Sequence, residues 1–192
     1  ASPNNIAAPM LLFAVLAGVV ADVVACFGRG GGVPYERYER FNEVMAEESA
    51  QTVVAVIADH VVPMLGEEMD ERLRRGAEVL DVGCGSGRAL AELAALYPAS
   101  RFTGYDLLPE AIAAAQAHAR RCGLTNVTFE QRDVAEPFGV GRFDLITTFD
   151  AVHDQAHPDR VLANIHAALK PGAMYLMQDI AMRTAHADNM DH

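Results

Sequence analysis

Apolar positions along this chain fall into two regimes. Over roughly the first third they run in blocks that fit a 3.6-residue period only loosely. They predict a helix over about 6–27, then a flexible break at Gly28, Gly30, Gly31 and Gly32. After Pro34 a second helix is predicted over about 35–65, with Phe41, Val44, Met45, Val53, Val54, Ile57 and Val61 as its apolar positions. A short charged helix follows at 67–75. From residue 77 onward, short apolar runs alternate with helix-favouring stretches. Strands are predicted near 77–82, 101–106, 127–131, 143–148 and 173–179, and helices near 87–97, 109–122 and 158–170. Pro109 and Pro158 stand at helix starts, where a first-turn proline is tolerated. The 132–142 connection is too short for a full helix. Strands joined by helices imply a parallel sheet with helices on both faces. The expected class is therefore α/β: a Rossmann-like domain over 76–192, preceded by an α-helical segment over 1–75.

Composition narrows the reading. With 192 residues and 51% apolar content, the chain can bury one sizeable core. The apolar run Met10–Ala21, ended by Asp22, is too short to span a bilayer and has no basic leader, so it reads as a buried or interface helix. No membrane association is expected, and the expected location is cytoplasmic. A net charge of −11, with no basic run, argues against contact with nucleic acid, whose phosphates need a positive surface. Cys26, Cys84 and Cys122 are widely spaced and odd in number, as free thiols in a reducing compartment would be.

The densest chemical signal is Val79-Leu-Asp-Val-Gly-Cys-Gly-Ser-Gly87. An apolar strand ends in Asp81 and breaks into a turn with glycines at 83, 85 and 87, followed by a helix. That is the opening of a nucleotide-binding βαβ unit. Glycines there let backbone approach a ligand that a Cβ would block. The acid selects the ligand. A dinucleotide would set its pyrophosphate at the helix N-terminus, where Asp81 repels it, and Arg88 occupies the place of a small residue. S-adenosylmethionine (SAM) has no phosphate and carries an ammonium and a sulfonium, both of which suit a carboxylate. Asp106 stands 19 residues past Gly87 at the end of the next strand, where an acid accepts both ribose hydroxyls.

On these residues the chain resembles the class I SAM-dependent methyltransferases. Asp81–Gly87 matches the first motif of that family, and Gly104-Tyr-Asp-Leu-Leu-Pro-Glu-Ala-Ile the second. Arg132-Asp-Val matches the third, Phe143-Asp-Leu-Ile-Thr-Thr-Phe-Asp the fourth, and Leu169-Lys-Pro-Gly-Ala the approach to the fifth strand. The resemblance covers roughly 76–180 and implies a cofactor set of Asp81, Gly83, Cys84, Gly85, Asp106, Leu107, Asp133, Val134 and Phe149. In it Asp106 takes the ribose, Leu107 lies beside the adenine, and Asp133 accepts from the adenine amino group. S-adenosylhomocysteine (SAH) is then the product.

Gly-Gly-Gly-Val-Pro-Tyr near 30–35, Glu-Val-Met-Ala-Glu near 43–47 and Thr-Phe-Asp-Ala-Val-His-Asp near 148–154 resemble more narrowly a bacterial small-molecule subgroup. A winged-helix domain often precedes the methyltransferase domain there. The resemblance implies a homodimer and two further edge strands. The tail 185–192 has no strand pattern, so residues are expected to be missing at both ends.

Tyr35, Tyr38 and Phe41 are either core or a lid over the cofactor, hinged on the glycines at 28–32; their rings would attract a sulfonium. His153 follows strand four, which in this fold faces the transferable methyl, and suits a general base. It could equally hydrogen-bond Asp154 structurally. His153, Asp154 and His157 have a metal-like spacing, but Pro158 disturbs it and no third soft ligand follows, so no metal is expected. Gln178 and Asp179 are candidates for substrate contact. No Asn/Asp-Pro-Pro-Tyr and no Pro-Cys follows strand four, which with the acidic charge leaves a small-molecule acceptor methylated at O or N. The alternative is a SAM-sensing regulatory domain of a winged-helix transcription factor.

Overall fold

The computed structural model describes residues 7–181. Helix α1 (Ala7–Gly18) and helix α2 (Val20–Arg29) meet at Val19 with a 55° bend, so the single helix expected over 6–27 is two. Gly28 belongs to α2 rather than to the glycine break. A 3₁₀ turn, Tyr35–Arg37, leads to α3 (Phe41–Thr52). The long second helix does not persist beyond it. The chain passes through a 3₁₀ turn at Val54–Val56, a π-turn at Ile57–Val61, and short α4 (Val62–Met64), then α5 (Gly66–Arg75). Pro63 accounts for part of this, since it has no N–H to continue the ladder. The run Val53, Val54, Val56 and Ile57 is β-branched and disfavours a regular helix.

The rest follows the alternation. In order come β1 (Glu78–Val82), α6 (Arg88–Leu96), β2 (Arg101–Asp106), α7 (Pro109–Arg121), β3 (Val127–Gln131), β4 (Phe143–Phe149), α8 (Pro158–Ala168) and β5 (Leu169–Gln178). The strands form one parallel sheet ordered β3-β2-β1-β4-β5. The order reverses at β1, so the ends of β1 and β4 border a crevice where ligands bind in open α/β sheets. Pairing of β5 with β4 slips after Leu169 and becomes regular from Met174, close to the predicted start at 173.

Each face of the sheet buries its own layer. On one, Val79, Phe102, Phe129 and Leu145 pack under Leu90 and Leu93 of α6, Ile112 and Ala115 of α7, and Ile57, Leu65, Met69 and Leu73 of the N-terminal segment. On the other, Leu80, Val82, Tyr105 and Ile146 pack against Val161 and Ile165 of α8 and against Phe138 of the short 132–142 connection. Helices therefore cover both faces, as expected.

At the far end of the sheet from the crevice, Asp144 ties the N-terminal segment to β1 and β5. Its Oδ2 accepts from the Glu78 N–H and the Lys170 ammonium, each at 2.8 Å, and its Oδ1 pairs with the Arg72 guanidinium. Burial alone would raise its pKa, but these donors hold the carboxyl below the usual range.

Of the two places expected for the first apolar run, core or interface, most of it does not take the core. The run Met10–Ala21 is not buried: Val15 and Val19 point inward, while Met10, Leu11, Phe13, Leu16 and Val20 are exposed, as is Phe27 of α2. No single helix among the described residues is long and apolar enough to cross a membrane. All three cysteines are free thiols. The tail expected to lack strand pattern lies outside the described residues.

Candidate functional site

A cavity of about 620 Å³ opens at the carboxyl ends of all five strands, and α1 and α3 supply its outer wall. That volume lies within the usual range for a small-molecule site.

The floor is the glycine turn. Gly85 has φ +52° and open space where a Cβ would stand, so ligand can approach its backbone. Gly87 is glycine for another reason. A Cβ there would meet the Phe129 ring at 2.5 Å and the Ala115 Cβ at 2.8 Å, so this residue lets α6 settle on the sheet. The glycines therefore do not all serve ligand approach.

Three carboxylates line the floor. Asp81 is almost fully buried and accepts from the Thr147 hydroxyl at 2.8 Å, across the β1–β4 pairing that sets them side by side. Burial, opposed by the Thr147 bond and aided by the Asp106 charge, pushes its carboxyl up to about 7. Asp106 accepts from the Gly85 N–H at 2.8 Å through one oxygen and from the Leu108 N–H at 2.9 Å through the other. It thereby braces the glycine turn. A carboxylate has about four acceptor positions, so two remain for a ligand. Asp133 accepts from the Ala135 N–H at 2.9 Å through Oδ1 and lines the cavity. Leu107, Val134 and Phe149 line the same space, as do Gly83 and Cys84. Burial pushes the Cys84 thiol well above its ordinary value, so it is an inert wall and not a nucleophile.

The lid aromatics divide. Tyr35 and Phe41 line the cavity, with ring centroids 5.4 Å apart. Tyr38 does not. It packs against the same pair but faces a separate recess beside Val23 and Phe27, away from the cavity where the cofactor set was expected to place it. The 3₁₀ turn that replaces a helical start at Tyr35 rotates these two tyrosines onto different sides. Burial, with the charges of Asp154 and Asp106, raises the Tyr35 phenol above its ordinary value, which keeps it a neutral hydrogen-bond donor.

His153 lines the cavity beyond the floor. Its Nδ1 lies 2.5 Å from Asp179 Oδ1 at the end of β5. Asp179 Oδ2 also accepts from the N–H groups of Val152 and His153, and Oδ1 from the N–H of Ile180. Burial works against its charge, but the Ile180 N–H and the His153 hydrogen bonds outweigh it and lower its pKa. An ionised Asp179 fixes the Nδ1–H tautomer and leaves Nε2 as the lone-pair nitrogen. Asp154 Oδ1 lies 3.4 Å from that Nε2. The structural pairing of His153 is thus with Asp179, and Asp154 is the secondary neighbour.

Asp179 was expected to touch substrate; its role as partner of His153 was missed. The pairing comes from the sheet, because the ends of β4 and β5 are adjacent and Phe149 pairs with Gln178. Asp150, His153 and Asp179 also offer three donors within 4.8 Å of one another. Asp179 already receives four N–H donors, so the geometry is that of an oriented imidazole more than a metal cage.

Residues 73–192 match the model of a methyltransferase-domain family. The chain belongs to that family. Demethylspheroidene O-methyltransferase of Rhodobacter capsulatus is 31% identical over 154 residues, 78% of this chain and 34% of that protein. O-methyltransferase cnsE of Penicillium expansum is 27% identical over 70% of this chain and 48% of its own length. Among solved structures, the [4+2]-cyclase SpnF is 30% identical with a TM-score of 0.58, covering 67% of this chain and 47% of that one. The chain spans half or less of the length of the first curated relatives it matches. It is a SAM-dependent methyltransferase domain, with SAM as cofactor and SAH as product. The cradle fits that cofactor: open backbone at Gly85, free acceptor positions on Asp106 and Asp133, and a carboxylate at Asp81.

Proposed function

We propose that this chain transfers methyl from SAM to an oxygen or nitrogen of a small molecule, with His153 as general base and Asp179 as its positioning residue. One observation carries the reading: His153, held by Asp179, lines the same cavity as the cofactor cradle. Bound in the cradle, SAM supplies an electrophilic methyl on a sulfonium whose leaving group is a neutral thioether. The chain's own work is orientation, water exclusion and proton removal. The wall from α1 and α3, including Leu12, Tyr35 and Phe41, covers the cavity and keeps water from the reacting atoms. His153 Nε2 takes the proton of the acceptor, and Asp154 is placed to receive the N–H that results.

Residues 1–75 act as a cofactor lid, and their exposed apolar helices as a homodimer interface in the cytoplasm. The SpnF likeness is a reminder that the fold hosts other reactions. The regulator alternative draws no support from relatives named as methyltransferases.

The test is SAH release across a panel of phenols, enols and amines. His153→Ala should lower turnover about 10²- to 10⁴-fold, the usual worth of a positioned base, with SAM affinity unchanged. Asp179→Asn should lower it less, and added imidazole should partly rescue His153→Ala but not Asp179→Asn. Equal turnover in wild type and His153→Ala would remove the base from the mechanism.

A further inference from the structure

The charge around the cavity is lopsided. Six carboxylates line it: Glu48, Asp81, Asp106, Asp133, Asp150 and Asp154. Arg88 is the one arginine or lysine among the described lining residues, and it stands 3.9 Å from Glu47, outside the lining. The cofactor reading accounts for Asp81, Asp106 and Asp133, whose partners are an ammonium, ribose hydroxyls and an adenine amino group. Glu48, Asp150 and Asp154 are left over. Asp150 and Asp154 flank His153 on the loop after β4, where an acceptor must stand to reach the methyl. Glu48 looks in from α3. The surfaces between them are apolar: Leu12, Tyr35, Phe41, Met45 and Ile180.

We propose that the acceptor is an amine on an apolar body, which enters as the ammonium. The inference rests on the methyltransferase reading of the same cavity. A carboxylate or phosphate acceptor would meet three acids that no arginine or lysine pairs, since Asp150 accepts only from the Gln178 amide and Asp154 lies beside the His153 imidazole, and that like-charge contact opposes binding. An ammonium meets the reverse. Asp150 and Asp154 attract it, the faces of Tyr35 and Phe41 accept it, and the chain's net charge of −11 steers it inward.

The chemistry balances. The ammonium loses one proton to His153 Nε2 and becomes a neutral amine. The amine lone pair forms the N–CH₃ bond as the C–S bond breaks, and the bond pair leaves with sulfur as the neutral thioether. The product is a methylated ammonium, and the proton on His153 passes to solvent.

Three probes with one body and different heads test this on the whole chain saturated with SAH: 3-phenylpropylamine, 3-phenylpropanol and 3-phenylpropionate, each titrated calorimetrically. The amine should bind about tenfold or more tighter than the alcohol, the worth of a charged hydrogen bond, and the propionate should not bind measurably. Added salt should weaken the amine and leave the alcohol unchanged. The double variant Asp150→Asn, Asp154→Asn should bring the amine down to the alcohol's affinity while SAH affinity, measured first, stays as in wild type. Amine binding no tighter than the alcohol's, or propionate binding as tight as the amine's, overturns the proposal. A chain that binds neither SAM nor SAH fails at the earlier step instead and sinks the methyltransferase reading of the cavity.

Discussion

Asp81→Asn separates two effects that one buried carboxylate joins. Without ligand, the folded chain holds the Asp81 proton up to a pH of about 7, against an ordinary value of 3.8. Between those values the folded state keeps a proton that the unfolded chain has released. Stability therefore falls as pH rises through that window, and the full penalty applies above it. Three units at about 1.4 kcal/mol each make that penalty on the order of 4 kcal/mol. Asparagine keeps the shape and still accepts from Thr147, but has no charge to bury. The variant without ligand should melt higher than wild type above pH 8, by up to about 10 °C, and should show no loss of stability from pH 5 to 8. Cofactor binding should move the other way. An ammonium beside Asp81 favours the carboxylate, so SAM binding releases a proton below pH 7, and affinity rises by up to about tenfold per pH unit until it levels off. In Asp81→Asn that slope should vanish, and affinity at pH 8.5 should fall about 10- to 150-fold. Calorimetry of SAM in phosphate and in Tris, whose ionisation heats differ, counts the protons directly. No proton release by wild type at pH 6.5, with equal melting of both proteins at pH 8.5, would refute the reasoning.

Other outcomes follow from the same contacts. Asp106→Asn should weaken SAM about tenfold or more, and because Asp106 also braces Gly85 it should lower the melting temperature slightly; calorimetry and a melt read the two separately. Gly87→Ala should destabilise by about 2–4 kcal/mol in denaturant titration, from a positive φ and a clash with Phe129 and Ala115. Asp144→Ala should cost about 2–3 kcal/mol at neutral pH by leaving the Glu78 N–H unpaired. That difference should shrink as pH falls below the ordinary carboxylate range, because the lowered pKa of Asp144 contributes only while it is ionised.

The strand–helix alternation after residue 76 was legible because each element has its own punctuation: glycines at 83–87, Pro109 and Pro158 at helix starts, apolar runs ended by acids. The predicted bounds of its strands and helices agree within about two residues, apart from the start of β5. The N-terminal segment was not legible to that degree. Its apolar residues serve two masters, the sheet face under Ile57 and Leu73 and the cavity wall at Leu12 and Phe41, so no single period fits. Tyr35 and Tyr38 look alike in sequence and differ only through a three-residue turn. Asp106 and Asp133 could be placed because one closes β2 and the other follows the end of β3 by two residues, beside the glycine turn. Asp179 could not be assigned to His153, because that pairing depends on β5 lying beside β4 and not on any spacing along the chain.

The strand order has a consequence for how such a protein can change. The cradle is assembled from the ends of β1, β2 and β3, and the His153–Asp179 pair from the ends of β4 and β5, on opposite sides of the reversal at β1. The two halves share a cavity but few residues. Loops after β4 and β5 can be rewritten for a new acceptor while the cradle stays as it is. A transplant of residues 152–157 and 179–181 from a relative, which leaves Ala151 in place against Gly83, should therefore exchange one acceptor for another on an unaltered cofactor platform.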